Sequence, residues 1–154
     1  MRVVFALVYL LVIALLAHPI GEAIPGTAFH PERFPFCCYP WETRLYRLLR
    51  VAKWKDKVPD MGKRLSDMQP KKLLSVSAQQ TDTLLCEMCR AESVHWAEVL
   101  LGIGCVFIAP GIGWVFFAVW ALLGNLPFIL IQRYNRPRIL ALKNRLAKAR
   151  QKGM

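Results

Sequence analysis

Residues 99–132 contain no charged side chain, and residues 133–154 contain no acidic one. The first absence excludes an ordinary water-facing surface for that stretch, because a soluble fold of this size has too little interior to hide it. The second leaves eight Lys or Arg uncompensated at the end of the chain. A disulfide framework is missing too. The five cysteines, Cys37, Cys38, Cys86, Cys89 and Cys105, are odd in number and irregularly spaced. No internal repeat or low-complexity segment occurs, which excludes solenoid architectures. Of the three histidines, His18 and His30 stand in no partner pattern.

What is present is apolar surface and segregated positive charge. The chain has 154 residues, 55% of them hydrophobic, and a net charge of +11. Its length suffices for one compact unit. Residues 41–92 hold eleven Lys or Arg against seven Asp or Glu. A nucleic-acid binder would need a basic face on a soluble fold. Here the cations flank long apolar runs instead, the pattern produced by the preference for Lys and Arg in cytoplasmic loops. The chain therefore reads as an all-α integral membrane protein of the cell membrane, with its basic segments on the cytoplasmic side and no nucleic-acid partner.

Four segments are expected. Residues 1–22 form an N-terminal transmembrane helix, wholly apolar over 3–17 and interrupted by Gly21 and Glu22; about 18 residues rise about 27 Å, close to the hydrocarbon thickness. A cleaved signal peptide is the rival, with Gly21-Glu22-Ala23 as the cleavage site. Export would place the basic 41–92 stretch outside, so the uncleaved helix is preferred. Residues 23–90 form an interfacial and cytoplasmic basic segment. It begins with an irregular connection carrying Pro25, Pro31, Pro35 and Pro40. It continues as an amphipathic helix over 43–54, with Leu45, Leu48, Leu49 and Ala52 on the apolar side. Pro59 and Gly62 break the run, and a short helix is expected between 70 and 80. Residues 91–132 form a helical hairpin, turning at Ala109-Pro110-Gly111-Ile112-Gly113. Its arms, roughly 92–109 and 113–131, are at the short end for a crossing, so a re-entrant hairpin is the alternative. Residues 133–154 form a basic amphipathic cytoplasmic tail, with Ile139, Leu142, Leu146 and Ala149 at helical spacing.

The hairpin's open ends are expected at one membrane face, which gathers the polar residues 90–96 with those of 125–138. Glu92 and His95, three apart, share a helix face. A carboxylate accepting one imidazole N–H fixes the tautomer and frees the other nitrogen as a general base. Acyl transfer to a hydroxyl needs such a base, and it needs cationic or N–H donors at the developing oxyanion, which Arg133, Arg136 or Arg138 can supply. The bland reading makes Glu92 and His95 interfacial polar residues and the arginines anchors to lipid phosphate. Glu98, one turn deeper, is another partner for His95, in a position where a carboxylate is costly. Asn125 and Pro127 mark either a kink or a freed backbone carbonyl that a polar group can use. Tyr134 and Trp54 suit interfacial belts, and Tyr134 also suits stacking on a sugar ring. Cys86-x-x-Cys89 with Cys37-Cys38 makes a poor zinc site, since adjacent cysteines form an awkward ligand pair, and ordinary cytosolic thiols are the simpler reading. No metal or cofactor is expected.

Lys53-Trp54-Lys55-Asp56-Lys57, then Arg90-Ala91-Glu92 with His95-Trp96, then Asn125-x-Pro127 leading into Gln132-Arg133-Tyr134-Asn135-Arg136-Pro137-Arg138, closely resembles the glycosyl-4,4'-diaponeurosporenoate acyltransferase family in order and spacing. The resemblance covers roughly residues 45–142. It implies a membrane enzyme of carotenoid pigment synthesis that esterifies a fatty acyl chain onto the sugar of a glycosylated C30 carotenoid acid, giving a staphyloxanthin-type product. The implied partners are an acyl donor, acyl-CoA or acyl-carrier protein, and a glycosylated carotenoid or related lipid acceptor. No catalytic residues come with the resemblance. From the residues themselves, His95 and Glu92 are the catalytic candidates. Arg133, Tyr134, Asn135, Arg136, Arg138, Asn125 and Trp54 are the candidates for substrate binding. Two other readings stand beside this one: a non-catalytic membrane adaptor that binds lipid and a partner enzyme, and a hydrolase using water as acceptor. The sequence leaves the oligomeric state open.

Overall fold

A computed structural model describes residues 1–58 and 78–152. The breaks at Pro59 and Gly62 and most of the helix expected between 70 and 80 lie outside the described residues. Among those described there is no strand. The helices are α1 (Arg2–Ala23), α2 (Glu42–Leu48), α3 (Val51–Trp54), α4 (Ala78–Gly102), α5 (Gly104–Ile108), α6 (Ile112–Val119) and α7 (Leu126–Lys152). A π-helical segment, Trp120–Asn125, joins α6 to α7. Among the described residues, three helical runs are long and apolar enough to cross a membrane: Arg2–Ala23, Gln80–Ile108 and Ile112–Lys152.

The chain divides into two compact units rather than one: Met1–Pro25 with Arg90–Ile129, and Gly26–Cys89 with Leu130–Met154.

The first unit is a helical hairpin with α1 packed on it. Ala6, Leu10 and Ile13 of α1 are buried with Cys105 and Ala109, and Tyr9, Phe116, Phe117 and Trp120 close around them. The Tyr9 hydroxyl donates to the Leu101 carbonyl at 2.8 Å. The opposite side of α1 is apolar as well: Phe5, Leu11, Leu15 and Ile20 are all more than half exposed. That pattern, apolar all round, suits a hydrocarbon surrounding and not water. Gly21 and Glu22 do not interrupt α1, which runs to Ala23 and is followed by an extended Ile24 before Pro25. Gly21 is buried against Val94, where a β-carbon would collide with the valine side chain. It is a contact point between helices, so it has no need to act as a breaker.

Pro110 and Gly111 make the expected turn between α5 and α6, with Gly111 at φ 86°. The arms then run antiparallel in close contact. A β-carbon on Gly113 would lie 2.5 Å from the Cys105 carbonyl oxygen and 2.7 Å from the Val106 Cα, both backbone atoms unable to yield. Further along, Trp120 lies against Gly102 and its indole N–H donates to the Glu98 carbonyl at 2.8 Å. Small residues thus let the two backbones approach, the usual device where lipid supplies no hydrophobic drive.

In the second unit, the first part of α4 packs Leu85 and Met88 on Ile139 of α7, with Leu84 and Leu140 at the margin. Asp82 and Lys143 pair at 2.7 Å beside this core. The expected single helix over 43–54 is two short ones, because Arg50 between them adopts a left-handed conformation (φ 49°). The side packed into this unit is the one that carries Glu42. Glu42, Tyr46 and Val51 are buried, whereas Leu48 is 80% exposed. The reason is electrostatic: the Glu42 carboxylate is drawn inward to Arg133, while Leu45 is half-buried and Leu48 and Leu49 are exposed. The tail is not a separate helix, since α7 runs unbroken from Leu126 to Lys152 with Pro137 inside it.

Candidate active site

His95 lies on α4 in the first unit, 9% exposed. Its ring stacks on Phe128, centroids 4.8 Å apart and planes at 15°. Nδ1 is 2.9 Å from Asn125 Oδ1 and 3.4 Å from Glu98 Oε2. The tautomer follows from the neighbours. Asn125 Nδ2 donates to the Trp120 carbonyl at 3.0 Å. A carbonyl can only accept, so the amide must turn its oxygen toward the histidine. That oxygen also only accepts, so Nδ1 carries the proton and Nε2 keeps its lone pair. The π-helical segment makes this possible. It adds a residue to the turn before Pro127, and Asn125 at its end reaches both the Trp120 carbonyl and the His95 ring on α4. Asn125 is 1% exposed, so the arrangement is sealed from competing solvent.

The carboxylate beside His95 Nδ1 is that of Glu98. Its side chain is 8% exposed, a position where an ionised carboxylate is costly. Glu92 is also on α4 and 1% exposed, and it too is engaged. The two ring nitrogens are therefore not equivalent. Asn125 and Glu98 orient the ring through Nδ1, the side away from a base's lone pair.

The second unit holds the other candidates. Arg133 is a structural hub. It pairs with Glu42 at 2.5 Å and donates to the carbonyls of Pro35 and Cys37, each at 3.1 Å. The Tyr46 hydroxyl donates to the same carboxylate. Burial pushes the Glu42 carboxyl up, but the hydrogen bonds from Arg133 and Tyr46 and the guanidinium charge outweigh it and hold the group below the ordinary carboxylate range. The Tyr46 phenol is pushed well up, first by burial and then by its bond to Glu42. Arg136 is fully buried, donates to the Phe36 carbonyl at 2.7 Å and lies over the Phe36 ring. Asn135 is buried beside it in sequence. Arg133 and Arg136 therefore tie the proline-rich connection, residues 33–37, to α7.

Arg138 differs. It is exposed, and it lies 3.6 Å from the centre of the Tyr134 ring. Arg138 and Tyr134 line a cleft of about 550 Å³ together with Arg47, Arg50 and Lys53. Trp54 is outside that lining; its indole N–H donates to the Leu49 carbonyl at 2.9 Å and ties α3 back to α2. Sequence reasoning leaves Arg47 and Lys53 on the outward cationic side of the 43–54 helix and gives Arg50 no role. It also passes over Gln132, which is fully buried with neither amide atom partnered among the described residues. None of the five cysteines is joined to another in a disulfide.

The fold and this site define a small all-helical protein with membrane-spanning capacity and a buried, oriented histidine. Residues 27–145 match the glycosyl-4,4'-diaponeurosporenoate acyltransferase family. The chain belongs to that acyltransferase family. It is similar to proteins of that name from Staphylococcus aureus: 28% identical to that of strain bovine RF122 over 145 residues, and 29% identical to that of strain USA300 over 144 residues. In each case the match covers 90% of this chain and 86% of the relative. No solved structure matches the chain.

Proposed function

We propose that this protein transfers a fatty acyl group from a thioester donor, acyl-CoA or acyl-carrier protein, to a sugar hydroxyl of a glycosylated carotenoid, glycosyl-4,4'-diaponeurosporenoate or a close glycolipid relative. The work is done at the cytoplasmic face of the cell membrane. Three apolar helical runs and the flanking cations support that location and orientation. The observation that carries the chemistry is the His95 ring, its Nδ1 held by Asn125 and Glu98.

The free Nε2 takes the proton of the sugar hydroxyl as its oxygen bonds to the acyl carbonyl carbon. The imidazolium so formed is balanced by the Glu98 carboxylate. When the tetrahedral intermediate collapses, the carbon–sulfur bond breaks and the departing thiolate receives the proton from Nε2. Atoms and charge balance without a metal or redox partner. Glu92, on the same helix, serves as a second carboxylate supporting the imidazolium. Arg133, Arg136 and Asn135 maintain the shape of the substrate-binding unit, while Arg138 and Tyr134 face the ligand.

The test is a transfer assay with purified protein in lipid vesicles. Palmitoyl-CoA and the glycosylated carotenoid acid should give a product heavier by one acyl chain, read by mass spectrometry. Free fatty acid without acylated acceptor would mean a hydrolase. No turnover with either CoA or carrier-protein donors would mean a non-catalytic adaptor.

A further inference from the structure

The cleft of the second unit brings together four cations: Arg47 at the end of α2, Arg50 between α2 and α3, Lys53 in α3 and Arg138 in α7. Among the described residues no carboxylate lines it. Glu42, which precedes the lining residues Thr43 and Tyr46 in α2, has its charge already taken up by Arg133 and Tyr46. All four cations are exposed, and none is ion-paired among the described residues. Clustering like charges around one concavity costs free energy unless an anion offsets it. Apart from Thr43, the remaining walls are apolar: Ala52, Pro137, Ala141 and the tyrosine rings.

Two details show that the cations are positioned and not merely adjacent. Arg50 occupies the left-handed region, a conformation that costs a non-glycine residue free energy. Arg138 is fixed by its own hydrogen bond to the Tyr134 carbonyl and by the ring beneath it, so its guanidinium loses less freedom on binding. A cationic rim above apolar walls fits an organic phosphate with more than one phosphate charge and an uncharged arm.

We infer that this cleft binds the phosphates of such a ligand, and, resting on the acyl-transfer reading above, that the ligand is the coenzyme A part of the acyl donor. Lipid headgroup phosphate shares the chemistry, and the experiment separates the two. Full-length protein in detergent is titrated by calorimetry with free coenzyme A, with 3'-dephospho-coenzyme A, and with short-chain phosphatidylglycerol. Coenzyme A should bind, and loss of its 3'-phosphate should weaken it about tenfold. Arg47→Gln, Arg50→Gln and Lys53→Gln, all at exposed positions, should each weaken coenzyme A about tenfold while leaving the unliganded melting temperature unchanged. Phosphatidylglycerol binding that depends on the same three residues, with no coenzyme A binding, would keep the phosphate site and overturn its assignment to the donor. Coenzyme A affinity unaffected by all three substitutions, or no binding of either phosphate ligand, would overturn the site itself. Because binding is read without turnover, failure of the transfer assay would leave this result standing.

Discussion

Replacement of His95 by alanine is expected to lower the rate of ester formation by about 100- to 10,000-fold, the usual worth of a positioned general base. The reason is geometric. Asn125 and Glu98 both address Nδ1, so the ring's only free proton-accepting atom is Nε2. Alanine removes that atom and also the stack on Phe128. A glutamine at the same place separates the two effects, since it fills much of the ring's volume and can donate to Asn125 but cannot act as a base. His95→Gln should therefore insert and melt like the wild type and be as inactive as His95→Ala. Ester formation by purified His95→Gln at the wild-type rate would remove His95 from catalysis. The assay is the initial rate of acylated product at saturating donor, alongside a thermal melt in detergent.

The second large effect is on stability. Arg133→Ala leaves the Glu42 carboxylate, 3% exposed, without its counter-ion. Removing one partner of a buried pair typically costs about 3–5 kcal/mol, because the other charge stays desolvated. The carbonyls of Pro35 and Cys37 lose their donor at the same time. The pH dependence carries a further sign. In the wild type the Glu42 carboxyl is held low, so it binds fewer protons folded than unfolded. Its stabilisation is complete above the ordinary glutamate range and is lost as pH falls through the lowered folded value. In Arg133→Ala, burial is opposed only by the Tyr46 and Tyr39 donors, so that acid-side loss should vanish. Thermal melts from about pH 3 to about pH 7 would show both: a large loss at neutral pH and a flatter acid limb. Arg133→Lys should recover only part of the stability, since an ammonium cannot span a carboxylate and two carbonyls as a planar fork does. An Arg133→Ala protein as stable as the wild type at neutral pH would contradict the hub.

These two effects show which parts of the molecule are open to sequence reading. The helices and the hairpin turn are legible because apolar runs and Pro110-Gly111 are local signals. The contacts made by those helices are not. Gly21 looks like a breaker until Val94 is placed against it. The leucines of residues 43–54 mark an apolar side for the membrane interface, but nothing local announces that an ion pair to a residue 91 positions away turns Glu42 and Tyr46 inward. Arg50's left-handed backbone leaves no mark in composition, since arginine is an ordinary helix former.

The site divides the same way. His95 and Asn125 stand out as polar residues beside a charge-free stretch, but their meeting depends on the π-helical segment, which no periodicity announces. Glu92 and Glu98 are equally spaced from His95, three before and three after, so spacing cannot choose between them. The arginines of residues 133–138 read as one patch. Folded, Arg133 and Arg136 hold the proline-rich connection, and Arg138 faces a cleft. Helical phase alone separates them: 133 and 136 share a side that 138 leaves.

The claim beneath the mechanism is that the proton of the resting His95 ring sits on Nδ1. Nitrogen-15 NMR of ring-labelled histidine reads this directly. His18→Gln with His30→Gln leaves His95 the sole histidine, because the chain has three. In the neutral ring a protonated Nδ1 and a bare Nε2 are expected, with the pattern disturbed by Asn125→Ala. A proton on Nε2 in the otherwise unaltered site would leave no lone pair for the sugar hydroxyl and would contradict the mechanism.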